Sequence, residues 1–95
     1  MWLELSRRAQ ADLDDIRDYS VEQFGLARAI LYLDAIEQAF RRLVDHPQIG
    51  SSRYPFAKEV LSYPVREHRI FYEARPTEVH IARLLHKAMD VERWV

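Results

Sequence analysis

Apolar residues recur at helical spacing in the first quarter of the chain. This spacing predicts an amphipathic helix over about residues 7–23. Ser6 is placed to cap its N-terminus, and Gly25 is placed to end it. The inward stripe of this helix is predicted to consist of Ala9, Leu13, Ile16 and either Tyr19 or Ser20.

A second helical pattern follows directly and is the more regular of the two. Its apolar positions keep the i, i+3, i+4, i+7 spacing of a helix with one buried face. Pro47 and Gly50 come just after it, and both residue types end helices. The stripe consists of Leu26, Ala29, Ile30, Leu33, Ile36, Phe40, Leu43 and Val44.

The remaining apolar runs are short and rich in β-branched and aromatic residues, which favours strands. The turn-like segment 75–78 separates the last two runs, as in a β-hairpin. Pro64 cannot donate a ladder hydrogen bond, so its strand is predicted to lie at an edge of the sheet. Alternation places Leu61, Tyr63 and Val65 on one face. The predicted strands are 2–5, 60–65, 68–74 and 79–85.

This order of elements predicts an α+β fold of type β-α-α-β-β-β. We expect an antiparallel sheet with a two-helix hairpin packed on one face, because short strands cannot bury themselves. The other face is expected to be partly open and to carry the function. At 95 residues, the whole chain 1–95 is predicted to form a single domain.

Composition narrows the function classes. The absence of cysteine excludes disulfides and thiolate metal sites. The four histidines lack helical i, i+4 pairing, so no metal site and no cofactor are expected. The net charge of −1 argues against unaided nucleic-acid binding. With neither a leader nor a long apolar run, the expected location is the cytoplasm, without membrane contact.

At this point the order and spacing of several short motifs resemble a known family. That family is the ParE/RelE superfamily of toxins from type II toxin–antitoxin modules, and the resemblance is to its ParE-like (plasmid stabilisation protein) branch. It covers essentially the whole chain. The motifs are Leu5-Ser6-x-x-Ala9 with Leu13 and Ile16, Phe24-Gly25, His46-Pro47-x-Ile49-Gly50, Tyr63-Pro64-Val65 before His68-Arg69-Ile70-Phe71-Tyr72, and Val79-x-Ile81-x-Arg83-x-Leu85-His86 running into Met89-Asp90-x-x-Arg93.

The resemblance implies a toxin that a cognate antitoxin neutralises. ParE-like members act on DNA gyrase, whereas RelE-like members cleave mRNA in the ribosome. Metal-free RNA cleavage needs a proton acceptor, a proton donor and a cation at the phosphate. Here the candidates are His86, Arg83 and Arg69, and the set looks incomplete. We therefore expect a non-catalytic gyrase inhibitor; the alternatives are a RelE-like endoribonuclease and a non-toxic protein-interaction module.

Candidate target-binding residues lie along the last strands and at the C-terminal exit of the sheet. Arg69 and Arg83 fall on neighbouring strands, so a shared basic patch is possible; pairing with Glu67 or Glu73 is the alternative. His86 could instead be a hydrogen-bonded strand-end residue. The aspartates at 12, 14, 15 and 18 are expected to form a solvated helix face. The target-binding set is Arg66, Arg69, Arg83, His86 and Asp90.

Several apolar residues exceed what a 95-residue monomer can readily hide. An exposed apolar patch often marks a protein interface, and a helical antitoxin segment could lie in a groove there. The expected assembly is a hetero-oligomer with the antitoxin, to which any DNA binding would belong. The alternative is that Trp94 folds back onto the sheet. The candidate antitoxin-binding residues are Leu31, Tyr32, Ala35, Tyr54, Phe56 and Trp94.

Overall fold

A computed structural model describes residues 2–52 and 59–89. The predicted order of elements is confirmed, and the strands and first helix agree with their predicted bounds to within one residue. No helix in this part of the chain is long and apolar enough to cross a membrane. The elements are β1 (Trp2–Leu5), α1 (Arg7–Phe24), α2 (Leu26–Asp45), β2 (Leu61–Val65), β3 (His68–Ala74) and β4 (Glu78–His86).

Both predicted ends of α1 are confirmed. The Ser6 hydroxyl accepts a hydrogen bond from the Ala9 amide at 3.0 Å, which satisfies one of the free donors of the first turn. The same hydroxyl donates to the Ala82 carbonyl of β4 at 2.7 Å. Gly25 has φ of 84°, a conformation that side chains disfavour, and it separates α1 from α2.

The sheet has the strand order β1-β4-β3-β2. β2, β3 and β4 form the predicted antiparallel meander, and β2 with Pro64 is an edge strand as predicted. β1 differs from the antiparallel expectation, because it pairs parallel with β4 from Trp2 opposite Glu78 to Leu5 opposite Ile81. The sheet is therefore mixed, with the helical crossover leading from one edge of the sheet to the other.

β4 contains an irregularity in its pairing with β3. Tyr72 lies opposite Ile81 and Phe71 lies opposite Arg83, so Ala82 is the extra residue of a bulge. β1 also stops beside Ile81, whose carbonyl accepts from the Ser6 amide at 2.9 Å. Beyond that point, this edge of β4 bonds to α1 and no longer to a strand, while the other edge stays paired with β3.

The main core lies between the helices and one face of the sheet. The helical stripe is confirmed over most of its length, but Leu26 and Ile30 are 65% and 50% exposed. They lie close to the hairpin tip at Gly25, where the helices reach the end of the sheet. The buried core residues are Ala9, Ile16, Ile36, Ala39, Phe40, Leu43, Val65, Ile70, Tyr72, Val79, Ile81 and Leu84.

The corner after α2 is held by Tyr72. Its hydroxyl donates to the Pro47 carbonyl at 2.8 Å and accepts from the Gly50 amide at 2.9 Å. A Cβ at Gly50 would stand 2.5 Å from the same hydroxyl oxygen, so only glycine allows this approach. The predicted end of the helix is thus also an attachment point for β3.

The second face of the sheet is less open than expected. Strand alternation places Phe71 and Leu85 on the side away from the main core, yet both are almost fully buried. Ser62, opposite Phe71 in β2, is also buried. The prediction that this face is partly open is therefore wrong for the middle of the sheet.

Candidate functional site

A polar cluster forms where the β2–β3 turn and the end of β4 meet α2. His68 of β3 and His86 of β4 are directly opposite each other in the sheet. Their rings pack edge to face with centroids 5.3 Å apart. Tyr32 reaches this pair from α2, and its hydroxyl lies 2.6 Å from Nδ1 of His68. Two strands and one helix thus place three polar aromatic side chains together.

The hydrogen bonds at Tyr32 are consistent with one tautomer of His68. The Tyr32 hydroxyl accepts from the Glu67 amide at 3.0 Å, so its single proton is free for Nδ1 of His68. A neutral His68 with its proton on Nε2 satisfies both bonds. The pKa of His68 is lowered mainly by burial and to a smaller extent by the nearby His86, which agrees with the neutral form. Burial also raises the pKa of the Tyr32 hydroxyl.

His86 has a local structural role at the end of β4. Its Nδ1 accepts a hydrogen bond from the Ala88 amide at 3.1 Å, immediately after the strand. Next to it, Lys87 lies 2.7 Å from the Glu67 carboxylate, and this hydrogen bond lowers the pKa of Glu67. These contacts agree with the alternative that His86 is a hydrogen-bonded residue at the end of a strand. Its Nδ1 binds the turn that follows β4.

Arg83 does not join this cluster. Its guanidinium forms two hydrogen bonds with Asp12 of α1, at 2.8 and 3.0 Å. Asp12 also accepts from the Leu84 amide, and both side chains of the pair are largely buried. The expectation that Asp12 belongs to a solvated face is wrong, because β4 needs a hydrogen-bond acceptor where β1 has stopped. The pairing raises the pKa of Arg83.

Arg69 lies on the opposite face of the sheet from the His68–His86 pair. Adjacent residues of a strand point to opposite faces, and Arg69 follows His68. Its guanidinium donates to the Ser62 hydroxyl at 3.1 Å. In the described part of the chain, Glu67 pairs with Lys87 and Glu73 pairs with Arg75, rather than with the strand arginines Arg69 and Arg83 as the alternative predicts.

The predicted target-binding set is consequently dispersed. Arg66 is exposed in the β2–β3 turn beside the polar cluster, whereas Arg69 faces the other way and Arg83 is held by Asp12. Asp90 lies outside the described residues. The three residues considered for RNA cleavage, His86, Arg83 and Arg69, do not converge on one point. Within the described ranges, no group of three His, Asp or Glu side chains is arranged to hold a metal ion.

The apolar surface is concentrated at the tip of the helical hairpin. Leu31 is 66% exposed, as an interface residue would be, and Tyr32 is half-buried. Ala35 is instead half-buried against the core, since it faces inward beside the main stripe. Tyr54, Phe56 and Trp94 lie outside the described residues. The exposed apolar side chains near the tip are Tyr19, Val21, Phe24, Leu26, Ile30 and Leu31.

Most of this tip surface was missed by the sequence analysis. The sequence pattern predicts that Leu26 and Ile30 are core residues, because they continue the stripe of α2, but the structure exposes both. The available signal was their position, because apolar residues flank Gly25 on both sides of the break between the two helices. Tyr19 and Phe24 pack edge to face across the end of α1, with ring centroids 6.3 Å apart.

Comparison with known proteins decides the family. Residues 3–91 match the family described as "ParE toxin of type II toxin-antitoxin system, parDE". The chain belongs to the ParE toxin family. Toxin ParE1 of Caulobacter vibrioides is 33% identical over 86 residues, covering 90% of this chain and 88% of that protein. Toxin ParE1 of Mycobacterium tuberculosis is 30% identical over 90 residues, covering 94% and 92%.

The ParE fold is also found by structural comparison. A chain from a structure titled "Chromosomal ParDE TA system from P. aeruginosa" superposes with a TM-score of 0.77. The match covers 90% of this ParE-family chain and 95% of the other, at 24% sequence identity. The resemblance inferred from the motifs is thereby confirmed for both family and fold.

Proposed function

We propose that this chain is the toxin of a type II toxin–antitoxin pair that inhibits DNA gyrase by binding it, without catalysing a reaction. Membership in the ParE toxin family supports the class of protein, and ParE-like toxins act on gyrase. The observation that carries the non-catalytic part is the dispersal of the three ribonuclease candidates. Arg83 is held by Asp12, Arg69 lies on the opposite face from His86, and the Nδ1 of His86 binds the Ala88 amide.

RNA cleavage requires a base, an acid and a phosphate-binding cation within hydrogen-bond reach of one substrate. To bring Arg83 beside His86, the bidentate pair with Asp12 would have to break and leave a largely buried carboxylate unpaired. Arg69 would have to cross the sheet. A binding role needs neither change, and it can use the exposed Arg66 as it stands.

A cognate antitoxin is the second part of the proposal. The exposed tip residues, above all Leu31, form an apolar surface that a soluble protein normally covers with a partner. The antitoxin-binding role of Leu31, Tyr32, Ala35, Tyr54, Phe56 and Trp94 remains a prediction, as does target binding by Arg66, Arg69, Arg83, His86 and Asp90. The toxin acts where gyrase acts, in the cytoplasm, and the antitoxin neutralises it there.

The test is a supercoiling and cleavage assay with purified gyrase, ATP and relaxed plasmid. We expect the toxin to abolish supercoiling or trap cleaved DNA, and added antitoxin to restore activity. The variant His86→Ala should weaken inhibition at most through a lower affinity for gyrase and should recover full inhibition at a higher toxin concentration, because His86 is a predicted binding residue and no proton transfer is involved. If the wild-type toxin cleaves ribosome-bound mRNA and His86→Ala abolishes this cleavage, the proposal is contradicted and the ribonuclease hypothesis is favoured.

A further inference from the structure

A groove lies between the tip of the helical hairpin and the β2–β3 turn. Its volume is about 410 Å³, and both helices and the turn contribute to its walls. Apolar side chains form much of its surface, since Phe24 and Leu31 are 57% and 66% exposed. The lining residues are Ser20, Phe24, Arg28, Leu31, Tyr32, Arg66 and Glu67.

The charges around this groove are unbalanced. Arg28 and Arg66 are exposed, and neither forms an ion pair with a residue in the described part of the chain. Glu67, the acidic member of the lining, is paired with Lys87 at 2.7 Å. The groove thus offers an apolar surface flanked by two uncompensated guanidinium groups, which can bind carboxylates through paired N–H donors.

Arg66 is held in this position by a strained backbone. Its φ is 55°, the left-handed region, in a two-residue turn between the paired residues Val65 and His68. For a residue with a side chain, this conformation is unfavourable, because Cβ comes too close to the backbone. The Tyr32 hydroxyl accepts from the Glu67 amide and so fixes the turn against α2. The side chain of Arg66 is therefore presented at the groove from a fixed backbone.

We propose that Arg28 and Arg66 determine the specificity of this groove for an acidic, apolar segment of the antitoxin. Carboxylates of that segment would pair with the two arginines, and its apolar side chains would cover Phe24 and Leu31. A nucleic-acid backbone fits less well, because it would leave these apolar side chains in water. The inference rests on the proposed antitoxin partner and adds its chemistry and its place of binding.

The test measures two quantities in the same variants: stability of the free toxin and affinity for the purified antitoxin. Arg66→Gly and Arg66→Asn accept the left-handed conformation more readily, so we expect the melting temperature of the toxin to rise. Because both variants lose the charge, we expect the dissociation constant to rise about tenfold at low salt, mainly through slower association. Arg28→Gln should weaken binding similarly. Arg66→Lys keeps the charge but not the paired N–H donors, so its loss of affinity should be smaller than that of Arg66→Gly.

The matched control is Arg41→Gln. Arg41 is an exposed arginine on the same helix as Arg28, paired with Glu37 away from the groove. It should leave affinity unchanged. If Arg66→Gly and Arg66→Asn are more stable but bind antitoxin as the wild type does, and Arg28→Gln also binds normally, the inference is overturned while the proposed function stands.

Two other outcomes are also decisive. Failure of the wild-type toxin to bind the antitoxin would contradict the proposed function itself and remove the basis of the inference. Dimerisation of the toxin alone in sedimentation experiments, abolished by Leu31→Asp, would assign the groove to a second copy of the chain and overturn the antitoxin assignment.

Discussion

Asp12 connects the first helix to the last strand through side-chain chemistry. Its carboxylate accepts two hydrogen bonds from Arg83 and one from the Leu84 amide. One residue therefore pairs with a positive charge and also provides the acceptor for a backbone amide at the edge of β4. Both side chains are largely removed from water, where an unpaired charge is costly. Loss of either partner should therefore lower the stability more than loss of any other ion pair in the described part of the chain.

Replacing Asp12 tests this role. We expect Asp12→Ala to lower the free energy of unfolding by about 2–4 kcal/mol, because it leaves the Arg83 charge and the Leu84 amide without their acceptor. Asp15→Ala, at an exposed position of the same helix, is the control and should change stability by less than about 0.5 kcal/mol. Urea denaturation of both variants measures the difference. Equal, small effects would show that the pair does not stabilise the fold.

His68 should make stability depend on pH. Its pKa in the folded protein is lowered, so the unfolded chain, with an ordinary value near 6.5, takes up the proton first as the pH falls. The contribution of His68 to the free energy of unfolding should therefore be constant above this pH. It should decrease as the pH drops below this value, until the folded-state pKa is reached. The groups facing His68 are Tyr32, Glu67, His86 and Asp12.

Denaturation curves between pH 7.5 and 5 measure this effect. The variant His68→Gln removes the titrating ring and should flatten this part of the stability profile, while the contribution of other groups remains. A wild-type profile that gains stability as the pH falls through this window, or one that His68→Gln leaves unchanged, would contradict the assignment.

The sequence analysis could find residues of the right type but not their partners. Helical spacing correctly placed Ser6, Ala9 and Ile16, since capping and amphipathicity depend on near neighbours. Asp12 was placed in solvent because its partner is 71 residues away, on a strand whose register no local pattern reveals. Likewise, Arg69 and His86 are predicted to share a site, although strand alternation places Arg69 on the face opposite His86, which lies beside His68.

The elements themselves follow from local patterns more closely than their pairing does. Two helices and three meander strands have strong periodicity and clear turn residues, and they form as predicted. The parallel pairing of β1 with β4 depends on how the chain crosses the sheet, which four residues of alternating pattern do not encode. The bulge at Ala82 has no composition signal at all; it arises where β4 changes its partner from β1 to α1.

The start of α1 is both capped and attached to that bulge through Ser6. We expect Ser6→Ala to destabilise the protein by about 1–2 kcal/mol, because the Ala9 amide loses its acceptor and the Ala82 carbonyl loses a donor. Ser52→Ala, at an exposed position, serves as the control. Hydrogen exchange of the first turn of α1 should accelerate in Ser6→Ala only. Unchanged stability and exchange would exclude the dual role of the hydroxyl.

The corner after α2 depends on one hydroxyl of β3. We expect Tyr72→Phe to cost about 1–3 kcal/mol, because the Gly50 amide and the Pro47 carbonyl lose their partner. Tyr63→Phe removes a hydroxyl that bonds Arg42 at an exposed position, and it should cost less than about 0.5 kcal/mol. Thermal melts of both variants provide the comparison, and equal losses would argue against a special role for the corner.

Taken as a whole, the molecule separates its stabilising groups from its exposed surfaces. The arginine considered first for phosphate binding, Arg83, serves the fold, and the candidate histidine completes a strand end. Among the described residues, the apolar hairpin tip with Arg28 and Arg66 beside it is an exposed surface that the fold does not use. This distribution suits a protein that acts by occupying partners, since binding needs surface complementarity rather than converging acid and base groups.

Stoichiometry distinguishes binding from catalysis most directly. Gyrase should be titrated with the toxin in a supercoiling assay, with the toxin concentration varied through equivalence. A bound inhibitor should act in proportion to the gyrase present, and inhibition should saturate near stoichiometric amounts and be reversed by antitoxin. Undiminished supercoiling at a large excess of folded toxin would contradict the account, as would toxin acting far below stoichiometry through loss of a substrate.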